Sequence, residues 1–220
     1  MHTFGVSGKL IVNALEMYDR QTNTLWSQFL GQAVRGDLLG EFLEPIPLTM
    51  TTWERRVEEH PNTLALNKGN SSYTIDSYEG YYSNDRSTGV IGQSNSDNRL
   101  RNKDVILGVE FGKGASAYPF EAWARERVVN EELLGEPSVI YFDNTADTTF
   151  VFKSTVDDQK LTFDLSREGD RDILIDRETS SNSIAFKGAL EGQNLERVRS
   201  TASLWFAWTD FYPAADLFLG

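Results

Sequence analysis

Asp19-Arg20-Gln21-Thr22 returns as Asp176-Arg177-Glu178-Thr179, 157 positions further on, and this recurrence decides how the chain is read. Thr3-Phe4 precedes the first copy and Thr162-Phe163 the second. Further along, Leu43-Glu44 matches Leu195-Glu196, Trp53 matches Trp205 and Pro61 matches Pro213, each at an offset of 152. The fall from 157 to 152 needs only a short deletion in the second copy, which the glycine-rich stretch Gly36–Gly40 accommodates. Matches that keep their order and register in this way mark an internal duplication.

The two copies are expected to be unequal. Ahead of Thr162 the stretch from Val105 to Lys160 reads as structured, and nothing corresponds to it ahead of Thr3. The first repeat is therefore expected to be incomplete, with residues 1–72 as its remainder, 105–220 as a complete second unit, and 73–104 as a junction. Within the second unit, the β-branched run Val105–Phe111 predicts a buried strand, Gly112-Lys113-Gly114 a turn and Ala115–Tyr118 a return strand. Pro119 suits the first turn of a helix over Phe120–Arg127. Ser138–Asp143 and Thr148–Lys153, around Asn144-Thr145-Ala146-Asp147, predict a hairpin, with further strands at Leu161–Leu165 and Asp172–Asp176.

Each unit ends in a predicted helix. Thr51 and Glu54 form a capping box, Trp53, Val57 and His60 share one face, and Pro61 stops the helix. Trp205, Thr209 and Tyr212 repeat this arrangement before Pro213, so Trp53 and Trp205 are expected to be equivalent core anchors. Between the units, Tyr73, Tyr78, Tyr81 and Tyr82 are expected to cover the junction, followed by a polar loop from Ser83 to Arg99. The fold class is α+β and β-rich, made of duplicated strand–turn–strand–helix units, the first incomplete.

Composition narrows the function classes. Apolar residues make up 40% and charged residues 25%, ordinary for a folded chain. A net charge of -12, without a basic patch, argues against nucleic acid as a partner. The absence of cysteine removes disulfides, thiolate nucleophiles and zinc–thiolate sites. No apolar run is long enough to insert into a membrane, and Met1-His2-Thr3-Phe4-Gly5 lacks the form of a signal peptide, so the compartment stays open.

Phe4-Gly5-Val6-Ser7-Gly8-Lys9-Leu10, Met17–Thr22 and Leu25–Gln28 open a series that resembles domain-of-unknown-function family 3179. Tyr78–Tyr82, Leu107–Glu110, Ala117–Pro119 and Trp205–Trp208 continue it in the same order. The resemblance implies a preceding segment with a Cys-Pro-Leu-Cys motif, which this sequence does not contain. It also implies no established activity, so it supplies no mechanism.

The candidate ligand-binding residues are Asp19, Arg20, Trp26, Gln28 and His60. In a strand Asp19 shares a face with Met17, and Arg20 with Tyr18, so one member of the Asp–Arg pair turns inward and needs a partner. Recurrence in both copies favours a structural bridge over a ligand contact. Trp26 and Gln28 attract notice because the second copy has Ile184-Ala185-Phe186 nearby instead. A Trp beside an amide can stack on a ligand and hydrogen-bond it, or pack in the core. His60 lies near a helix C-terminus and corresponds to Tyr212, which suits a polar aromatic contact better than a base.

Two histidines without cysteine give no metal-ligand spacing. Asp157-Asp158 lacks the EF-hand pattern, and Gly5-Val6-Ser7-Gly8 lacks a phosphate-loop ending. No cofactor is expected. The leading expectation is a structural or ligand-binding module with an unknown ligand; the alternative is the remainder of an enzyme whose reactive residues lie in a missing N-terminal segment.

An incomplete first unit would leave Leu10–Arg20 with an open strand edge, and open edges invite self-association through that unit. Light scattering should then show a dimer or aggregates. A stable monomer at tens of micromolar, with residues 3–30 protected from hydrogen exchange, would overturn the idea of an incomplete unit.

Overall fold

Short strands bounded by turn residues dominate the computed structural model, which describes residues 2–46, 48–67, 78–111, 114–124, 126–146, 148–169, 171–179, 182–184, 189–190 and 193–219. Tyr73, the Gly112-Lys113 part of one predicted turn, Asp147, and Ala185-Phe186 lie outside the described residues. The chain begins with β1 (Phe4–Ile11), β2 (Ala14–Asp19), β3 (Leu25–Ser27), β4 (Gln32–Arg35) and helices α1 (Trp53–Glu59) and α2 (Glu79–Tyr82). Next come β5 (Val105–Phe111), β6 (Gly114–Pro119), a 3-10 helix (Phe120–Ala124), β7 (Val128–Leu133), β8 (Glu136–Asp143) and β9 (Thr148–Lys153). Then follow β10 (Thr155–Val156), β11 (Gln159–Lys160), β12 (Phe163–Glu168), β13 (Arg171–Asp176), β14 (Asn182–Ile184) and β15 (Ala189–Leu190). The chain finishes with β16 (Gln193–Asn194), β17 (Ser200–Leu204), α3 (Trp205–Phe211) and β18 (Asp216–Leu217).

These elements form two compact units, each drawn from three stretches of chain. The first holds Met1–Ile46, Gly80–Asp104 and Ser203–Ala214; the second holds Pro47–Glu79, Val105–Ala202 and Ala215–Gly220.

The first unit contains an antiparallel sheet in the order β1-β2-β3-β4. Its buried face carries Trp26 and Ala33, with Phe4 meeting Trp26 edge-on at 5.9 Å. Phe29, in the β3–β4 turn, stacks on Phe211 of α3 at 4.3 Å. Trp205, Phe206, Trp208 and Thr209 are the buried residues that make α3 a core helix. The Trp205 indole donates to the Asp97 carbonyl at 3.1 Å, which anchors the polar loop that begins at Ser83. Val6 stands exposed on β1, at the edge of the sheet.

The second unit is organised around the sheet β7-β8-β9. Successive residues of β8 point to opposite faces, and both faces are covered. Ile140 and Phe142 pack with Leu107, Val109 and Tyr118 of β5 and β6. Val139 and Tyr141 pack with Phe163 of β12 and Leu174 of β13. This double burial explains why β8 and β9 read as continuous apolar runs, although antiparallel sheets often leave one face wet.

A second long sheet runs β12-β13-β14-β15-β16. Its pairing repeats that of the first unit: Met17↔Trp26 and Leu174↔Ser183 are separated by the same 157 positions as Asp19 and Asp176. Ser27↔Gln32 and Ile184↔Ala189 keep that offset. Beyond the glycine-rich turn, Gln32↔Phe42 corresponds to Ala189↔Asn194, with the far strand now displaced by 152, the offset of Trp53 from Trp205.

Three expectations need correction. The helix predicted over Phe120–Arg127 is a 3-10 helix over Phe120–Ala124, because β-branched Val128 and Val129 already belong to β7 and pair with Tyr141 and Ile140. The N-cap of α1 is Thr52 rather than Thr51. Thr52 is still extended (φ -70, ψ 155) and its hydroxyl accepts from Arg55 N–H at 3.3 Å, so Glu54 cannot complete a capping box. Trp53 is not a core anchor: it is 57% exposed, and α1 has no fully buried residue.

The two tryptophans should therefore respond differently to truncation. Trp205→Ala should cost about 3–5 kcal/mol, the range for removing a buried large aromatic side chain, and Trp53→Ala less than about 1 kcal/mol. Urea unfolding of both variants checks this; equal losses would contradict the exposed position of Trp53.

Candidate functional site

The Asp19 side chain turns inward at the end of β2 and is completely buried. Its Oδ1 accepts from the N–H groups of Gln21 at 3.1 Å and Thr22 at 2.7 Å. Its Oδ2 accepts from the Thr22 hydroxyl at 2.7 Å and from the Trp26 indole at 3.1 Å. His2 Nδ1 lies 3.4 Å from Oδ1. Burial by itself would raise this carboxyl, but the bonds from the Thr22 hydroxyl, Trp26, Thr22 N–H and His2 outweigh it and hold it well below the usual carboxylate range.

Asp19 and Trp26 are the two singled-out residues that meet directly. Arg20 turns outward, donates to the Tyr18 hydroxyl at 3.1 Å and lies 5.5 Å from the centre of that ring. Gly5 makes room for this stack, since a Cβ there would come within 2.7 Å of the Tyr18 ring. Gln28 is exposed and its backbone N–H bonds Leu15 O at 3.2 Å. His60 belongs to the second unit, where its backbone N–H caps α1 through Arg56 O at 3.0 Å.

The Asp176 segment builds a similar turn. Asp176 is completely buried and its Oδ2 accepts from the Thr179 hydroxyl at 2.7 Å. Thr162 meets Glu178 as Thr3 meets Gln21. Here the outward arginine, Arg177, pairs with Asp164, which holds the register position next to Phe163 that Gly5 holds next to Phe4. Asp157 and Asp158 form the tight β10–β11 turn, both at positive φ, as two-residue hairpin loops require.

Two polar clusters in the second unit were not foreseen. Tyr118 donates to Glu131, and burial followed by that carboxylate pushes the phenol far upward. Tyr141 donates to Asp172 at 2.6 Å, and Arg127 completes the group. Burial and Asp172 likewise push the Tyr141 phenol upward. Both phenols direct their protons at internal carboxylates. No local sequence signal joins residues so far apart in the chain.

A groove in the second unit is also new. The segment Thr49–Trp53, Arg56 and Ala146 line a groove of about 590 Å³, well within the size range of ligand pockets. The groove is built by fixing the extended run-in to α1 against the end of the β8–β9 hairpin. The Thr148 hydroxyl donates to Met50 O at 2.8 Å, and Arg55 lies 3.4 Å from buried Asp143. Burial works against the Arg55 charge, but Glu58, Asp143 and Glu59 more than restore it. Arg197, beside β9 through its bridge to Phe152, donates to the Thr49 hydroxyl at 2.9 Å. Met50 is 75% exposed, so it and Trp53 give the groove two apolar walls open to solvent. The sequence marked Trp53 but assigned it to the core, because an exposed Trp and a buried one have the same helical spacing.

Asp19 gives the first unit a specific acid sensitivity. Its depressed folded pKa contributes stability that is complete above the unfolded value of about 3.9 and is lost as pH falls below it. The Trp26 indole N–H resonance should disperse normally at neutral pH and collapse on acidification. In Asp19→Asn the melting temperature should vary less over the same acid range; identical acid profiles for both proteins would refute this role.

The sequence pattern of the family described as Protein of unknown function (DUF3179) matches residues 1–215, nearly the whole chain. No curated protein matches the chain, and no solved structure matches it. The chain therefore belongs to the DUF3179 family of proteins of unknown function.

Proposed function

We propose that the protein is a non-catalytic ligand-binding module built from two copies of one ancestral unit, with its binding site in the groove beside Trp53. The single observation that carries this reading is the exposed Trp53 indole, which forms the wall of a groove together with exposed Met50. Large apolar side chains grouped in a concavity are costly to leave against water and are typical of ligand sites. The groove also has a rigid floor, since its lining is tied to the hairpin by Thr148 and to the β9 edge by Arg197. Such pre-organisation lowers the ordering cost of binding.

The duplication is supported by the shared strand register and by the two buried aspartates that close equivalent turns. On this reading residues 1–72 and 105–220 are the two copies, joined by residues 73–104. Divergence then followed the helices. Trp205 stayed in a core, while Trp53 came to face a groove and took on binding.

A fragment library screened by protein-observed NMR tests the site. Aromatic fragments should shift the Trp53 indole N–H signal, and Trp53→Ala should weaken the hits by about tenfold without unfolding the protein. Hits that leave the Trp53 signal unmoved would sink the groove as the binding site.

A further inference from the structure

We propose that the groove takes an amphipathic organic oxyanion, its flat apolar body against Trp53 and Met50 and its carboxylate or phosphate received by Arg56 beside the Thr51 hydroxyl, with Arg197 adding positive charge from behind Thr49. This rests on the groove being the ligand site and adds the chemical class of the ligand.

The argument begins with charge. The chain has 33 acidic against 21 basic residues, so a cation has many carboxylates available. Within the second unit most arginines and lysines use them: Arg55 with Asp143, Arg127 with Asp172, Arg177 with Asp164 and Arg199 with Glu110. Arg56 and Arg197 have no carboxylate partner among the described residues. Arg56 lines the groove directly. Arg197 stands one hydrogen bond behind it, through Thr49.

Arg197 is the stronger indicator. Its guanidinium is partly buried, with its carbon 5.2 Å from the centre of the Phe150 ring and Nη1 on a neutral hydroxyl. Its Nε is buried without an acceptor. A ring face and a hydroxyl orient a guanidinium but leave its charge unneutralised, which is costly in a partly buried place. Burial accordingly lowers the pKa of this group, with no carboxylate acting against the trend.

The groove wall agrees. The Thr51 hydroxyl is buried and has no hydrogen-bond partner, a consequence of Thr52 taking the capping role. It is an unpaired donor at the groove wall. No Asp or Glu lines the groove among the described residues, although the protein as a whole is strongly acidic. A cationic ligand would find no carboxylate among the described residues of the groove to neutralise it. A long polyanion would be repelled by the rest of the surface. A small organic anion with an apolar body satisfies both the cations and the exposed indole.

Isothermal titration calorimetry at low ionic strength with 1-naphthoate, 1-naphthyl phosphate and neutral 1-naphthylmethanol tests the proposal. The anions should bind at least about tenfold more tightly than the alcohol, as a charge-assisted contact implies. That preference should shrink in Arg56→Gln, an exposed position where the fold is safe, and shrink again in Arg197→Gln. Arg197→Lys should keep part of it, which separates lost charge from lost packing. The tighter of the two anions identifies whether carboxylate or phosphate is the natural group. Equal binding of alcohol and anions, or an anion preference unchanged in Arg56→Gln and Arg197→Gln, would overturn the oxyanion class and leave the groove standing. Binding of none of the three probes would overturn the groove as well.

Discussion

A carboxylate removed from water must be surrounded by donors, and at Asp19 and Asp176 the chain folds back on itself to supply them. Thr22 and Thr179 deliver a hydroxyl and a backbone N–H from three residues on, so the turn can close only in one geometry. With the turn fixed, Phe4 must sit opposite Asp19 and Phe163 opposite Asp176. The register of each sheet follows from there, because a slip of one residue would expose the carboxylate's face and bury its neighbours. Arg20 and Arg177, directed outward by the same alternation, are left to find partners on the surface, Tyr18 in one case and Asp164 in the other.

In the second unit a further constraint is strand β8 of the sheet β7-β8-β9, which has no wet face from Ser138 on. Every side chain from Ser138 to Asp143 is buried, so the polar ones need internal partners. Tyr141 reaches Asp172 and Arg127, and Asp143 accepts from the Thr145 hydroxyl at 2.6 Å and faces Arg55. The last of these contacts sets the position of α1. The groove exists because Arg55 is held inward by Asp143, which leaves Trp53, two positions earlier on a short helix, turned toward solvent.

The same logic connects the groove to its proposed ligand. An arginine pointing at a hydroxyl and a ring face, and a threonine whose hydroxyl has lost the capping role to its neighbour, are both unfinished interactions. On the proposed reading, Arg56 and Arg197, without a carboxylate among the described residues, await an anion that arrives from outside. Nothing comparable surrounds Asp19, whose oxygens are already engaged by four protein donors and approached by His2.

The sequence by itself determined the β-rich class, the β5–β6 and β8–β9 hairpins, the two Asp-centred turns, and the ends of both helices at His60 and Tyr212. All of these rest on hydrogen bonds and steric preferences among residues a few positions apart, which a sequence displays directly. It also showed that one of Asp19 and Arg20 must face inward, though only the fold revealed that it was Asp19. Tertiary structure alone decided that Trp205 is buried and Trp53 exposed, despite their matching positions. It likewise decided that Arg197 comes to lie behind Thr49. Burial is a property of two surfaces meeting, and Trp205 and Arg197 meet Asp97 and Thr49, far away in the chain, where no local pattern can announce it.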